Sequence, residues 1–225
     1  MKSYGQFCSI AKALEVIGER WTALILRELI CGSSRFSEIH RGMPRISPSL
    51  LTKRLADLER AGVIQRVEST KGYELTEAGW ELKPMVETLG VWGQRWVRGQ
   101  LSDDDLDPDL LMWDVRRRIN VDAMPNARTC LCFEFTDAPK NDALYWLVKS
   151  TEGVDLCISD PDYEVDLYVT TTVRTMTEVW NGDTPISAAI NNGKIELHGP
   201  SAFRNAFPTW LQLNLFAAVE PAGKH

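Results

Sequence analysis

The chain has 225 residues, 44% of them hydrophobic and 25% charged, which are the proportions of an ordinary soluble globular protein. At ~100–200 residues per domain, this length predicts two domains. No stretch approaches the ~20 apolar residues of a membrane span, and the N-terminus carries no apolar signal core. Five cysteines without paired spacing fit a reducing compartment. We therefore expect a cytoplasmic protein that does not engage membranes.

The net charge of −6 by itself argues against a nucleic-acid partner, but the charge is unevenly distributed. Residues 1–100 hold 15 Lys and Arg against 11 Asp and Glu, whereas residues 101–225 hold 10 against 20. This asymmetry predicts a first domain over residues 1–100 that can approach a polyanion, and a second domain over residues 101–225 with a different partner. An acidic run at residues 101–108 marks the linker or the cap of the next helix.

Apolar residues at helical spacing predict four helices in the first domain. Their segments are residues 8–18, 20–30, 36–42 and 47–61. The fourth helix has Ser47 as its N-cap, Pro48 at its first position and Gly62 after its last turn. A short helix, a tight turn and a longer helix follow one another in the order of a helix-turn-helix.

The fourth helix is amphipathic, with Leu51, Leu55 and Leu58 within a narrow arc that must face a core. The opposite face is small, polar and basic, and consists of Ser49, Lys53, Ala56 and Arg60, flanked by Thr52 and Arg54. Such a face suits insertion into a DNA major groove, where the first turn approaches base edges. Taken alone, this face is more typical of a solvated helix surface than of a DNA contact.

The residues after this helix predict a β-hairpin. Residues 63–67 are rich in β-formers, residues 68–72 are turn material with Lys71 near the tip, and residues 73–76 alternate strictly. A hairpin at this place is the wing of a winged helix. Residues 33–72 carry eight basic against four acidic side chains, a surplus that suits a phosphate footprint.

Several blocks in this region together resemble the HxlR family of bacterial and archaeal transcription regulators. They include GERWTALILREL at 18–29, RFSEI at 35–39, LTKRLADLE at 51–59 and YELT at 73–76. The resemblance covers residues ~5–98 and implies a dimeric winged helix that places helix 47–61 in the major groove of a palindromic operator. The expected DNA-binding residues are Arg35, Ser37, Arg45, Ser47, Pro48, Ser49, Thr52, Lys53, Arg54 and Lys71.

A further helix begins near Thr76 and carries an apolar, aromatic stripe up to Trp96. The stripe either closes the core of the domain or forms a dimer seam with the first helix of a second copy, as the resemblance implies. The candidate dimerisation residues are Ile10, Leu14, Leu89, Trp92 and Trp96.

Cys8 stands at a position where some HxlR regulators use a cysteine to sense electrophiles or oxidants. No resolving cysteine lies nearby in the sequence. A small buried hydrophobe is the favoured interpretation of this residue, and Cys8 is kept as a redox candidate.

The second half predicts an α+β domain with an antiparallel sheet that is covered on one face. The predicted helices are residues 110–119, 172–180, 185–192 and 201–215, and the predicted strands are residues 127–136, 144–150, 154–159, 165–170 and 194–199.

The last sixty residues resemble the sterol-carrier-protein-like fold through DLYVT at 166–170, VWNGD at 179–183 and GKIELHG at 193–199. The resemblance implies a sheet backed by helices around an apolar tunnel that takes an apolar small molecule. Residues of each candidate type in such places are more often plain core than ligand contacts. The candidates are Trp113, Phe133, Phe135, Trp146, Met176, Val179, Trp180, Ile190 and Phe203.

Catalytic chemistry is not indicated. Three histidines, one of them terminal, leave little for a catalytic triad or a metal centre. Cys130 and Cys132 share one strand face and could meet Cys157, but thiols at this spacing are usually buried hydrophobes. We therefore expect no enzyme activity, no catalytic residues, no metal and no cofactor.

The leading hypothesis is a dimeric DNA-binding regulator whose second domain binds an apolar ligand. One alternative is a lipid-binding or hydrophobic-metabolite-binding protein whose winged helix serves protein contacts only. The other is a thiol-switch repressor that uses Cys8.

Overall fold

The computed structural model describes residues 3–97 and 102–222. The chain divides into two units, Met1–Trp92 and Gly93–His225. The predicted boundary after residue 100 lies outside the described residues and stays a prediction. No helix in the described ranges is long and apolar enough to cross a membrane.

The first unit is a winged helix. Four helices precede the wing, a two-stranded antiparallel hairpin, and a short helix and a long helix follow it. The elements are α1 Ser9–Ile17, α2 Thr22–Ile30, α3 Phe36–Arg41, α4 Pro48–Arg60, β1 Ile64–Val67, β2 Gly72–Leu75, α5 Glu77–Trp80 and α6 Lys83–Trp96. The last four residues of α6, residues 93–96, belong to the second unit. The predicted winged helix-turn-helix is confirmed.

Its core consists of apolar side chains from α2, α3, α4, the connection between α3 and α4, and the wing. The buried members are Ile25, Leu26, Leu29, Ile39, Met43, Ile46, Leu51, Leu55, Leu58, Val63, Ile64 and Leu75. Because Leu51, Leu55 and Leu58 recur at helical spacing, their burial sets the rotation of α4 about its own axis.

The helix predicted after Thr76 is interrupted. The Thr76 hydroxyl accepts a hydrogen bond from the Gly79 amide and starts α5, which ends at Trp80. α6 then begins at Lys83, one residue before Pro84. Proline is tolerated in a first helical turn because the amides there have no partner within the helix, so Pro84 suits a new start.

In its described residues, the second unit combines one mixed sheet with four α-helices. Its elements are α7 Pro108–Arg118, β3 Thr129–Phe135, β4 Leu144–Ser150, β5 Gly153–Cys157, β6 Leu167–Thr171, α8 Val173–Trp180, α9 Ile186–Asn191, β7 Glu196–His198 and α10 Ser201–Trp210. α10 is shorter than predicted, since residue 211 leaves the helix and pairs with Ile119 in an isolated antiparallel bridge.

The sheet has the strand order β5-β4-β3-β6-β7. The prediction of an antiparallel sheet was wrong at its centre, where β3 and β6 run parallel with Leu131 opposite Leu167. The parallel pairing follows from the connection between β5 and β6. After β5 the chain crosses to the far side of β3, so β6 enters in the direction of β3, whereas hairpin-linked strands alternate in direction.

The two faces of this sheet are packed differently. Phe133, Phe135 and Tyr145 lie on the face that packs into the main core with α7, α8 and α10. Cys132 and Trp146 stand opposite one another on neighbouring strands and belong to a smaller buried cluster. Alternation of side chains along a strand places this cluster on the other face.

Candidate nucleic-acid interface

The start of α4 presents a short polar surface. The Ser47 hydroxyl accepts a hydrogen bond from the Leu50 amide at 3.3 Å and caps the helix, and Pro48 fills its first position. The Thr52 hydroxyl donates to the Pro48 carbonyl at 2.9 Å. Ser49, Thr52 and Lys53 are exposed, because the leucines of α4 are turned into the core. Amides in the first turn of a helix point outward and attract anions.

α3 is held at its N-terminus by Glu38. The Glu38 carboxylate accepts hydrogen bonds from the Ser34 amide at 2.9 Å and the Arg35 amide at 3.0 Å. Burial alone would raise the pKa of Glu38, but these backbone hydrogen bonds outweigh it, so the pKa is lowered. Arg35 and Ser37 are exposed beside this cap.

The wing is short and ends in an exposed basic tip. Lys71 adopts a left-handed backbone conformation, with φ of 50°, in the turn between β1 and β2. The Tyr73 amide donates to the Ser34 carbonyl at 2.8 Å and ties the wing to the segment before α3. The Arg66 guanidinium lies 5.4 Å from the centre of the Tyr73 ring. The base of the wing is therefore fixed, and Lys71 is presented to solvent.

A buried acid that sequence reasoning missed connects α2 to the end of α3. The Glu28 carboxylate is fully buried and accepts hydrogen bonds from Arg27 Nη2 at 2.6 Å and the Ser33 hydroxyl at 3.0 Å. Arg27 Nη2 also donates to the Gly42 carbonyl at 2.8 Å. A side chain at Gly42 would collide with the Glu28 carboxylate. Its burial could have been predicted from the helical spacing, because Glu28 stands three residues after Ile25 on the buried face of α2.

The structure brings the predicted DNA-binding residues to the helix-turn-helix and the wing, and nine of the ten are exposed. The exception is Arg54, whose side chain is only 12% exposed and pairs with Glu19. Basic and hydroxyl side chains around the start of a capped helix, and a basic side chain at a hairpin tip, can contact phosphates and base edges.

The predicted dimerisation residues lie on α1 and α6. All five side chains are exposed, with Ile10 at 71% and Trp92 at 57%. Leu82, just before α6, and Val86, in its first half, pack against the core of the winged helix. The stripe on α6 therefore does not simply close the core, since its aromatic part is left exposed.

The predicted ligand-lining residues do not all lie together. Eight of them belong to or pack against the main core of the second unit. The prediction was wrong for Trp146. Strand alternation places this residue in the cluster on the opposite face of the sheet from Phe133.

The five cysteines differ in exposure. Cys8 and Cys31 are exposed, Cys157 is partly exposed, and Cys130 and Cys132 are buried. The interpretation of Cys8 as a buried hydrophobe was therefore wrong. Burial, and then the neighbouring Asp166 carboxylate, raises the pKa of Cys130 to about 11. Burial raises the pKa of Cys132 to about 12. Within residues 3–97 and 102–222, no group of three or more His, Cys, Asp or Glu side chains is arranged to hold a metal ion.

The fold and this surface define a winged helix-turn-helix DNA-binding protein. The chain belongs to the HxlR-like helix-turn-helix family, whose sequence model matches residues 16–101. The prediction of an HxlR-type DNA-binding transcription regulator is confirmed.

Similar proteins share the N-terminal part. The chain is 37% identical over 97 residues to the uncharacterised HTH-type regulator YvaP of Bacillus subtilis, covering 41% of this chain and 90% of YvaP. An HTH-type regulator of Methanothermobacter thermautotrophicus is 36% identical, covering 45% of this chain and 81% of that protein. A crystal structure of YtcD, a regulator of Bacillus subtilis, is 42% identical, covers 39% of this chain and 94% of YtcD, and has a TM-score of 0.36.

Proposed function

We propose that the protein acts as a homodimer on a palindromic operator, with the first turn of α4 in the major groove and Lys71 of the wing on the adjacent backbone. The observation that carries this proposal is the exposed polar surface of Ser49, Thr52 and Lys53 at the capped start of α4. Major-groove readers place the N-terminal residues of the recognition helix against base edges.

The apolar surfaces on α1 and α6 support the dimer. Ile10 and Leu14 on α1, and Leu89 and Trp92 on α6, leave large apolar side chains in water. Contiguous exposed apolar patches mark association surfaces. A two-fold axis through such a seam would set two recognition helices about one DNA turn, ~34 Å, apart.

Operator binding is tested by selecting duplexes from a random library with the full chain. We expect two inverted half-sites with centres about 10 base pairs apart. Affinity for the selected duplex should fall by ~10³–10⁵ between 50 and 200 mM salt if 6–10 phosphates are contacted. Enrichment of a single unpaired half-site would contradict the dimer, and no binding at 50 mM salt would contradict the docking of α4.

We also propose that the second unit is a sterol-carrier-like domain that binds an apolar small molecule. Support comes from a sheet covered by helices, with Phe133, Met176 and Val179 in an apolar interior and Ile190 and Phe203 at its margin. A ligand that binds two arrangements of the dimer unequally would change operator affinity, typically by ~1–3 kcal/mol. No enzymatic step is proposed, and the site of action is the cytoplasm, where the DNA partner lies.

The ligand part is tested with one defined probe, a fluorescent long-chain fatty acid. We expect saturable binding to the full chain that Met176→Trp, which fills the interior, weakens at least tenfold. Leu144→Trp, an exposed position at the start of β4, is the matched control. Equal binding by both variants, or no saturable binding, would remove the fatty-acid class as the ligand.

Cys8 supports a second candidate function, a thiol switch. Its side chain is exposed at the start of α1, two residues before Ile10 of the proposed seam. Modification there would place a polar or bulky group beside the dimer. We expect Cys8→Ser to abolish any loss of DNA binding caused by diamide, while Cys31→Ser, the other exposed thiol, leaves that loss intact. Equal oxidant responses in both variants would exclude the switch.

A further inference from the structure

Two consecutive basic residues of α4 have different surroundings. Lys53 is exposed, whereas Arg54 is turned towards the connection between α1 and α2. Arg54 Nη2 lies 2.7 Å from Glu19 Oε2, and Arg54 Nε donates to the Arg20 carbonyl at 3.3 Å. A weaker contact joins Arg54 Nη1 to Asp57 Oδ2 at 3.8 Å. The guanidinium therefore uses its planar donors within the protein.

The connection that Arg54 holds is conformationally unusual. Trp21 precedes α2 with a φ of 80°, in the left-handed region that bulky residues rarely adopt. The Arg20 guanidinium lies 5.2 Å from the centre of the Trp21 ring. A backbone of this kind persists only where surrounding groups hold it. The hydrogen bond from Arg54 to the Arg20 carbonyl is one such constraint, and it comes from the recognition helix itself.

We propose that Arg54 is a positioning residue rather than a DNA contact, and that Glu19 is its acidic partner. Together they fix α4 against the connection between α1 and α2, and so set the angle at which Ser49 and Lys53 meet the major groove. The pair also joins the recognition helix to the end of α1, the helix that carries Ile10. The affinity for DNA then depends on the Glu19 carboxylate, although this group does not contact DNA.

The direction in which DNA affinity changes on Glu19→Gln separates a purely electrostatic role of Glu19 from a positioning role. Removing a negative charge near a polyanion raises affinity through long-range electrostatics. If Glu19 only modulated the local charge, Glu19→Gln would therefore tighten DNA binding. If Glu19 positions α4 through Arg54, the same change weakens binding despite the favourable change in charge.

The experiment measures the affinity of the full-length chain for a duplex selected by the unmodified protein, across a series of salt concentrations. The variants are Glu19→Gln, Arg54→Gln, the double variant and Arg54→Lys, with Glu81→Gln as the matched control. Glu81 is an exposed acid of the same unit, so it tests the charge change alone. Circular dichroism melts verify that each variant is folded.

We expect Glu19→Gln and Arg54→Gln each to weaken binding about tenfold, and the double variant to be no weaker than either. The slope of log affinity against log salt should stay unchanged in all of them, and Arg54→Lys should recover part of the affinity through its remaining charge. The proposal is overturned if Glu19→Gln binds as tightly as Glu81→Gln. A slope reduced by ~0.9 in Arg54→Gln would equally overturn it, since that marks a lost phosphate contact. Should Arg54→Gln fail to fold, the comparison of Glu19→Gln with Glu81→Gln decides alone.

Discussion

The two units differ in how far their large apolar side chains are exposed. In the winged helix, Ile10, Leu14, Leu89 and Trp92 stand exposed on two helices. In the second unit, bulky side chains such as Phe133 are enclosed between the sheet and its helices. Its most exposed large apolar side chains, Ile158 and Leu215, lie outside its helices and strands.

The charges follow the same division. The half with exposed apolar helices is net basic, with 15 Lys and Arg against 11 Asp and Glu, and the other half is net acidic, with 10 against 20. A surface that is both basic and apolar is suited to macromolecular partners, one polyanionic and one apolar. An enclosed apolar interior under an acidic exterior suits a small apolar ligand. This difference supports the proposals that the first unit forms the dimer and that the second unit binds the ligand.

The largest effects are expected in the two separate cores. Leu55→Ala should destabilise the winged helix by about 2–5 kcal/mol, and Phe133→Ala should destabilise the second unit by about 3–5 kcal/mol. Both residues are fully buried. Differential scanning calorimetry should show two transitions, each lowered by only one of the variants. A single transition lowered equally by both would show that the two cores unfold together.

The next effect concerns the apolar surface of the winged helix. Trp92→Glu should convert the proposed dimer to a monomer at micromolar concentration, because an interface tryptophan contributes about 2 kcal/mol or more. Sedimentation velocity measures the change. Trp80→Glu is the control, since Trp80 is 49% exposed on α5, against 57% for Trp92 on α6. Equal sedimentation of the two variants would contradict the proposed seam.

A smaller effect is expected from the charge asymmetry. Lys53→Ala should weaken DNA binding several-fold for every sequence and reduce the salt slope by ~1, the signature of a lost phosphate contact. Lys194→Ala removes an exposed lysine from the acidic unit and should change neither quantity. Fluorescence anisotropy across a salt series distinguishes the two. A parallel loss in both variants would mean that net charge alone attracts the DNA.

The smallest effect concerns pH. The folded state lowers the pKa of Glu38 from its ordinary 4.5, so this residue stabilises the winged helix above that value. The contribution is lost as the pH falls through the lowered pKa. Urea unfolding of Glu38→Gln should therefore show less stability at pH 7 and a flatter decline below pH 4.5 than the unmodified chain. The same decline in both proteins would contradict the role of Glu38 as the α3 cap.

Local signals predicted most of the winged helix. Ser47, Pro48 and Gly62 place the ends of α4 within a residue, because caps act through adjacent backbone groups. The exposed face of α4 followed from the spacing of its leucines. Arg54 could not be separated from Lys53 in this way. Its partner Glu19 is 35 residues away, and only the tertiary structure brings the two together.

The second unit shows the same limit at the level of strands. Alternating residues predicted five strands, and five are present in the described residues of this unit. Pairing direction depends on which side of β3 the chain returns to, and no local pattern encodes that choice. The grouping of Trp146 with Phe133 failed for a related reason. Its face is defined by register with Cys132 on the neighbouring strand.

The parallel pairing of β3 with β6 also affects how the chain folds during synthesis. β3 pairs with β4 after one hairpin, but its other edge stays unpaired until β6 is synthesised. Leu167 of β6 is 36 residues beyond Leu131 of β3. Until then a strand with Leu131 and Phe133 presents unpaired amides and carbonyls, the arrangement that templates aggregation. The winged helix lies N-terminal to this sheet, so it can form while residues of β6 are still being translated. A ribosome stalled before residue 167 would therefore display a DNA-binding module attached to an open sheet edge.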